Sequence, residues 1–109
     1  FRRVLFRSLR MIEAAENCLR DLGFHDVRVR HHELPGLLPA AANNLAAPPE
    51  RPALARIEVG AAELPRLLDG ALGTRVADEL RRFGYLHVTL DLRGYRRGGV
   101  DEAATSPPA

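Results

Sequence analysis

The sequence predicts an α+β domain: a small mixed three-stranded sheet with helices on one face and a polar opposite face. Three observations predict it. Apolar residues recur at three- and four-residue steps in stretches that end at Gly23 and Gly84. Three other stretches alternate apolar and polar residues, the period of a half-buried strand. A weak internal repeat aligns Leu19–Arg30 with Leu80–Asp91, each running from a helix end through glycine and an aromatic residue into a strand.

The elements follow in order. Leu9 to Leu22 reads as a helix, with Ile12, Ala15, Leu19 and Leu22 on one stripe and Gly23 as its stop. Phe24 to His31 reads as a strand, with Val27 and Val29 facing inward and Arg28 and Arg30 outward. Residues 33–53 hold five prolines among Ala, Asn and Leu, which reads as a long surface loop. Within it the apolar patch Leu34–Leu38 can dock locally. Leu54 to Val59 alternates again, with Ala55, Ile57 and Val59 on one face and Arg56 and Glu58 on the other. Ala61 to Leu68 is a short helix with Pro65 near its first turn. Thr74 is expected to cap a third helix running to Phe83, with Val76, Leu80 and Phe83 as its buried stripe. Tyr85 to Leu92 is the third strand, with Leu86, Val88, Leu90 and Leu92 inward and His87, Thr89 and Asp91 outward. Residues 101–109 form a Pro/Ser/Ala tail expected to be unstructured. The predicted order is α-β-loop-β-α-α-β, with one domain over residues 9–100.

Composition bounds the function. A chain of 109 residues, 46% of them hydrophobic, supports one core and is too short for a two-domain nucleotide enzyme. No apolar run approaches the roughly 18 residues of a membrane span, so no membrane role is expected. The single cysteine, Cys18, can form neither an internal disulfide nor a metal cluster by itself, which is compatible with a cytoplasmic protein. All 16 basic residues are arginine. The first eight residues, Phe1 to Ser8, stand apart: Val4 to Ser8 resembles a translated sequencing adapter, and such segments are excluded before fold reasoning. On that view the chain is a fragment whose native start is missing. Without Arg2, Arg3 and Arg7 the balance is 13 basic against 14 acidic residues, and the electrostatic case for nucleic acid disappears.

The predicted polar face carries Arg28, Arg30, Arg56, Glu58, His87, Thr89 and Asp91. One reading is a solvated face laced with cross-strand ion pairs. The other is a docking face for an anion, because two arginines two residues apart on a strand present planar forks side by side to phosphate oxygens. Glu16 flanks the first helix's apolar stripe. It reads as the wet edge of that helix or, with Glu58, as an oxygen ligand to a hard cation. His25, His31, His32 and His87 have no metal-ligand spacing with a cysteine and read as surface residues. Cys18 lies on or beside the buried helix face and reads as an inert small hydrophobe. No catalytic residue is assigned. The glycine-rich Gly94–Gly99 stretch follows a strand but opens no helix, so it fails the context of a dinucleotide loop.

The ordered set of motifs resembles a known family. Ile12-Glu-Ala-Ala-Glu16, Leu22-Gly23-Phe24, Arg28-Val29-Arg30, His32, Ala55-Arg56-Ile57-Glu58-Val59 and Val88-Thr89-Leu90-Asp91-Leu92-Arg93-Gly94-Tyr95-Arg96 are similar to the C-terminal domain of the LarE family of ATP-dependent sacrificial sulfur transferases, in the PP-loop ATP pyrophosphatase superfamily. The resemblance covers Leu9 to about Glu102, apart from the loop, which is longer than the family's tight connection.

The resemblance implies a larger parent enzyme in the cytoplasm. Its N-terminal domain would bind ATP and Mg and adenylylate the carboxylate of a pyridinium mononucleotide. A cysteine or an iron–sulfur cluster would then supply sulfur to make a thiocarboxylate for the nickel-pincer nucleotide of lactate racemase. It further implies that Arg28 and Arg30 bind substrate phosphate and that Glu16 and Glu58 lie near substrate or metal. Implied partners are the missing ATP-binding domain, a small nucleotide substrate and further copies in a homo-oligomer. The donor Cys-Leu-x-Ser-Arg stretch is absent, and Cys18 does not match it. The fragment alone is therefore expected to hold no cofactor and perform no catalysis. The competing readings are a stand-alone anion-binding regulatory module and a basic nucleic-acid binder.

Overall fold

The computed structural model describes residues 2–34 and 52–96. The elements are α1 (Arg2–Asp21), β1 (Val27–Glu33), β2 (Ala53–Val59), α2 (Leu64–Leu68), α3 (Gly70–Arg82) and β3 (His87–Leu90). The expected α+β class and element order are those observed. The bulk of the expected 33–53 loop and the 101–109 tail lie outside the described residues, as does the patch beyond Leu34. Glu33 and Ala53, expected in the loop, instead pair with one another at the end of the β1–β2 ladder. Leu34 N–H then donates to the Pro52 carbonyl at 2.8 Å.

β2 is the central strand of a sheet ordered β1-β2-β3. It pairs antiparallel with β1 and parallel with β3. A parallel pair needs a crossover, and α2 and α3 supply it. Alternation along β1 and β2 turns Val27, Val29, Ala53, Ala55, Ile57 and Val59 inward, where Met11, Ala15 and Leu19 of α1 and Val76 and Leu80 of α3 meet them. Residues 11, 15 and 19 are four apart, so they stack on one helix face. Burying side chains such as Leu19, Leu80 and Phe24 contributes about 1.5–3 kcal/mol each.

The internal repeat is real in three dimensions. Gly23 N–H donates to the Arg20 carbonyl at 2.9 Å and Phe24 N–H to Leu19 at 3.1 Å; Gly84 donates to Arg81 at 3.0 Å and Tyr85 to Leu80 at 3.3 Å. These are Schellman-type helix ends, and each drops its aromatic residue into the core.

Four local expectations change. α1 begins at Arg2, well before Leu9, because helical hydrogen bonding continues upstream of the first buried turn. Asp69, not Thr74, caps α3, its side chain accepting from Ala71 N–H. α2 is confined to Leu64–Leu68. β3 covers only His87–Leu90, so Leu86 before it and Leu92 after it are 42% and 76% exposed rather than inward. Tyr85 takes the buried place instead, as its alignment with Phe24 requires.

Candidate functional site

The outer face of the sheet is built by register. Arg28 stands across from Glu58, Arg30 across from Arg56, and Arg56 beside Thr89. Two arginines directly opposite one another repel unless an anion lies between them. Glu58 provides it. This carboxylate is only 9% exposed, and it accepts from Arg30 Nε at 3.2 Å while its other oxygen lies 3.5 Å from Arg56 Nη2. Arg56 Nη1 in turn reaches Asp91 Oδ2 at 3.2 Å. The result is a continuous row, Arg30–Glu58–Arg56–Asp91, from β1 across β2 to the residue that follows β3. Within it Arg56 Nε is buried with no hydrogen-bond partner among the described residues. The cross-strand ion pairs anticipated for this face are therefore present.

Arg28 stays out of the row. Among the described residues no carboxylate lies within ion-pair distance of it. Its guanidinium instead sits 5.5 Å from the centre of the Tyr95 ring. The Tyr95 side chain, through hydrogen bonding first and charge second, raises the Arg28 pKa above its ordinary value, and the Glu16 carboxylate adds to this. Arg28 and Tyr95 line an open groove of about 290 Å³ with Arg20, His25, Asp26 and Val27. Arg28 and Arg30 thus share the face as expected, but they differ: Arg30 is neutralised by Glu58, and Arg28 has no carboxylate partner among the described residues.

The two carboxylates singled out in the sequence play separate parts. Glu16 accepts the Val29 N–H at 3.0 Å with one oxygen and lies 3.6 Å from Arg20 with the other. β1 is an edge strand, so this bond covers a backbone donor that the sheet leaves unpaired. Glu58 is committed to its arginines on the outer face. Among the described residues no group of three or more His, Cys, Asp or Glu side chains converges as a metal site would require.

His31 departs from the surface reading. It lies at an inward register position, where its Nδ1 is 2.9 Å from the hydroxyl of Tyr85. Burial lowers the His31 pKa below its ordinary value; Glu33 opposes this and His32 adds to it. The Tyr85 phenol is pushed up to about 12, chiefly by burial and then by Glu16. Alternation in β1 carries the signal for this pair, since His31 continues the Val27, Val29 series. Cys18 is half-buried between α1 and α3, as expected, and burial pushes its thiol up. Such a thiol is a poor nucleophile. Asp91 was expected on this face by alternation; Tyr95 was the unanticipated member of the site, because it carries no pattern beyond its place after a strand.

Comparison with known proteins follows the same direction. The chain is 33% identical over 98 residues to pyridinium-3,5-bisthiocarboxylic acid mononucleotide synthase of Lactiplantibacillus plantarum, a match covering 90% of this chain and 28% of that enzyme. It is 28% identical over 102 residues to an uncharacterised protein of Synechocystis sp., covering 94% of this chain and 31% of the relative. The chain therefore spans under a third of the length of either relative. It matches no protein-family model. The first relative is a LarE-type enzyme, so the similarity runs in the direction of the motif resemblance and supports a relation to sulfur transferases. No described helix is long and apolar enough to cross a membrane.

Proposed function

We propose that this chain is the phosphate-binding part of an ATP-dependent sulfur transferase that converts a pyridinium carboxylate mononucleotide into a thiocarboxylate. The observation that carries the reading is the pairing of Arg28 and Arg30 on one strand face, with Arg28 uncommitted to any described carboxylate. Residues two apart on a strand stand roughly 7 Å apart along it, close enough for one phosphate group to reach both forks. Charge-assisted bonds of this kind are worth about 1.5–3 kcal/mol each. Similarity over nine tenths of the chain to an enzyme that makes a bisthiocarboxylic acid mononucleotide supports the substrate class.

In this reading ATP and Mg are held by a domain outside this chain, and the activated carboxylate and the sulfur donor come from there. The present residues bind and orient the nucleotide phosphate. Glu58 fixes Arg30, while Glu16 ties α1 to the β1 edge beside the site. The test uses a complete homologous enzyme carrying this domain. Arg28→Ala or Arg30→Ala is expected to cut sulfur transfer at least tenfold, about 1.4 kcal/mol or more, with the melting temperature nearly unchanged in Arg28→Ala and lowered in Arg30→Ala, which also releases Glu58. Full activity in both variants would move the site elsewhere.

A further inference from the structure

The structure leaves Arg28 exposed on the sheet and yet not loose, and the reason lies in the turn after β3. Asp91 N–H donates to the Ile57 carbonyl at 2.8 Å, the last bond of the parallel ladder. The chain then turns. Asp91 Oδ1 accepts the Arg93 N–H at 2.9 Å, and Gly94 N–H donates to the Asp91 carbonyl at 3.1 Å. Gly94 takes φ +77°, and a Cβ there would lie 2.8 Å from the Val59 carbonyl oxygen. Only glycine meets both demands without strain. The next residue, Tyr95, donates its N–H to that same Val59 oxygen at 2.7 Å. The backbone of Tyr95 is thereby anchored at the end of β2, and its ring reaches across to Arg28 on β1.

We propose that Tyr95 is the positioning residue of this anion site: anchored through Gly94, its ring holds the Arg28 guanidinium in a fixed orientation at the groove mouth, ready for a phosphate dianion. The inference rests on the phosphate-binding reading above and adds what makes an exposed arginine selective. An arginine free in solvent loses rotamer freedom on binding, whereas one already ordered over a ring loses less. The guanidinium lies over one ring and keeps its edge N–H donors for oxygen acceptors. The row linking Arg56 to Asp91, whose other oxygen braces the turn, ties this placement to the rest of the polar face.

The experiment is a titration of the full chain with inorganic phosphate, followed through the Arg28 Nε–H resonance. The unaltered chain is expected to show that resonance displaced by the Tyr95 ring and moving further with phosphate. Arg28→Ala removes the response and assigns it. Tyr95→Ala is expected to return the Arg28 resonance toward that of a mobile arginine and weaken phosphate binding about three- to fivefold. Tyr95→Phe, which keeps the ring and loses the hydroxyl, should lie between the unaltered chain and Tyr95→Ala. Gly94→Ala should act like Tyr95→Ala, because it displaces the anchor without touching the ring. An Arg28 resonance indifferent to Tyr95→Ala would overturn the inference whatever phosphate does. A phosphate response lost in Arg28→Ala but intact in Tyr95→Ala would also overturn it, leaving the anion site standing. No phosphate response at Arg28 in the unaltered chain would overturn the anion reading itself.

Discussion

Glu58 stands directly across the β1–β2 ladder from Arg28 but gives its carboxylate to Arg30, 3.2 Å away on the diagonal. The diagonal choice follows from Arg30 and Arg56 facing each other, a like-charge pair that needs a shared counterion. It also separates two arginines that look alike in sequence. Arg30 is part of the fold's charge balance, and Arg28 has no carboxylate partner among the described residues and rests on Tyr95.

Removing Glu58 should therefore cost stability as well as any binding. Glu58→Ala leaves two facing guanidinium groups without their bridge. A destabilisation of about 1–2 kcal/mol is expected, held below that of a fully buried pair because the arginines are half exposed. Glu58→Gln keeps an acceptor and should lose roughly half as much. Urea unfolding of the three proteins measures it, and equal stability would show that solvent already screens the row.

The two arginines should separate in the same assay. Arg28→Ala is expected to change stability by less than about 0.5 kcal/mol, as a surface change does. Arg30→Ala releases one oxygen of a nearly buried carboxylate and should cost about 1 kcal/mol. Arg28→Lys keeps the charge and loses the planar fork, so it should restore phosphate binding only partly. Full rescue by lysine would mean that charge alone is read.

The His31–Tyr85 contact makes stability depend on pH at both ends. The folded-state His31 pKa is depressed, so the unfolded chain binds the proton more readily. The contribution is complete above the ordinary histidine value of about 6.5 and is lost as pH falls through the lower folded value. For Tyr85, raised to about 12, the sign reverses: its contribution is complete below the ordinary tyrosine value and is lost as pH climbs toward the folded one. Denaturant midpoints on the acid side should slope less in His31→Gln. An unchanged slope would place the acid sensitivity in the carboxylates.

The elements and the inward residues were legible because period-two and period-3.6 patterns are local, and both helix stops carried glycine. The strand ends were less so. β3 closes at Leu90 because the Asp91 side chain takes the Arg93 N–H and begins a turn, and alternation continues past that point in the sequence regardless. The site was half legible. Arg28 and Arg30 follow from alternation on one strand. Their different fates depend on the register of β1 against β2, which is set across a long connection that no local pattern fixes. Tyr95 reaches Arg28 only through the Gly94 turn, and a turn's direction is not written in residue period.

Glu16 gives the last prediction, because a sequence reading placed it near substrate or metal and the structure gives it a bond to the backbone. Its oxygen covers the Val29 N–H at the open edge of β1, 3.0 Å away. Glu16→Ala leaves that donor to water and loosens α1 from the sheet edge. The cost should be about 1–2 kcal/mol, with faster hydrogen exchange at the Val29 amide before that at Ile57. Glu16→Gln still offers an oxygen to Val29 and should recover most of the stability. It also removes the negative charge beside Tyr85, so the phenol should titrate lower than in the unaltered chain, followed by phenolate absorbance. If Glu16→Gln matches Glu16→Ala in stability, the charge and not the hydrogen bond is what the edge requires. If neither variant changes the Val29 amide, the bond contributes nothing and Glu16 is held for the site alone.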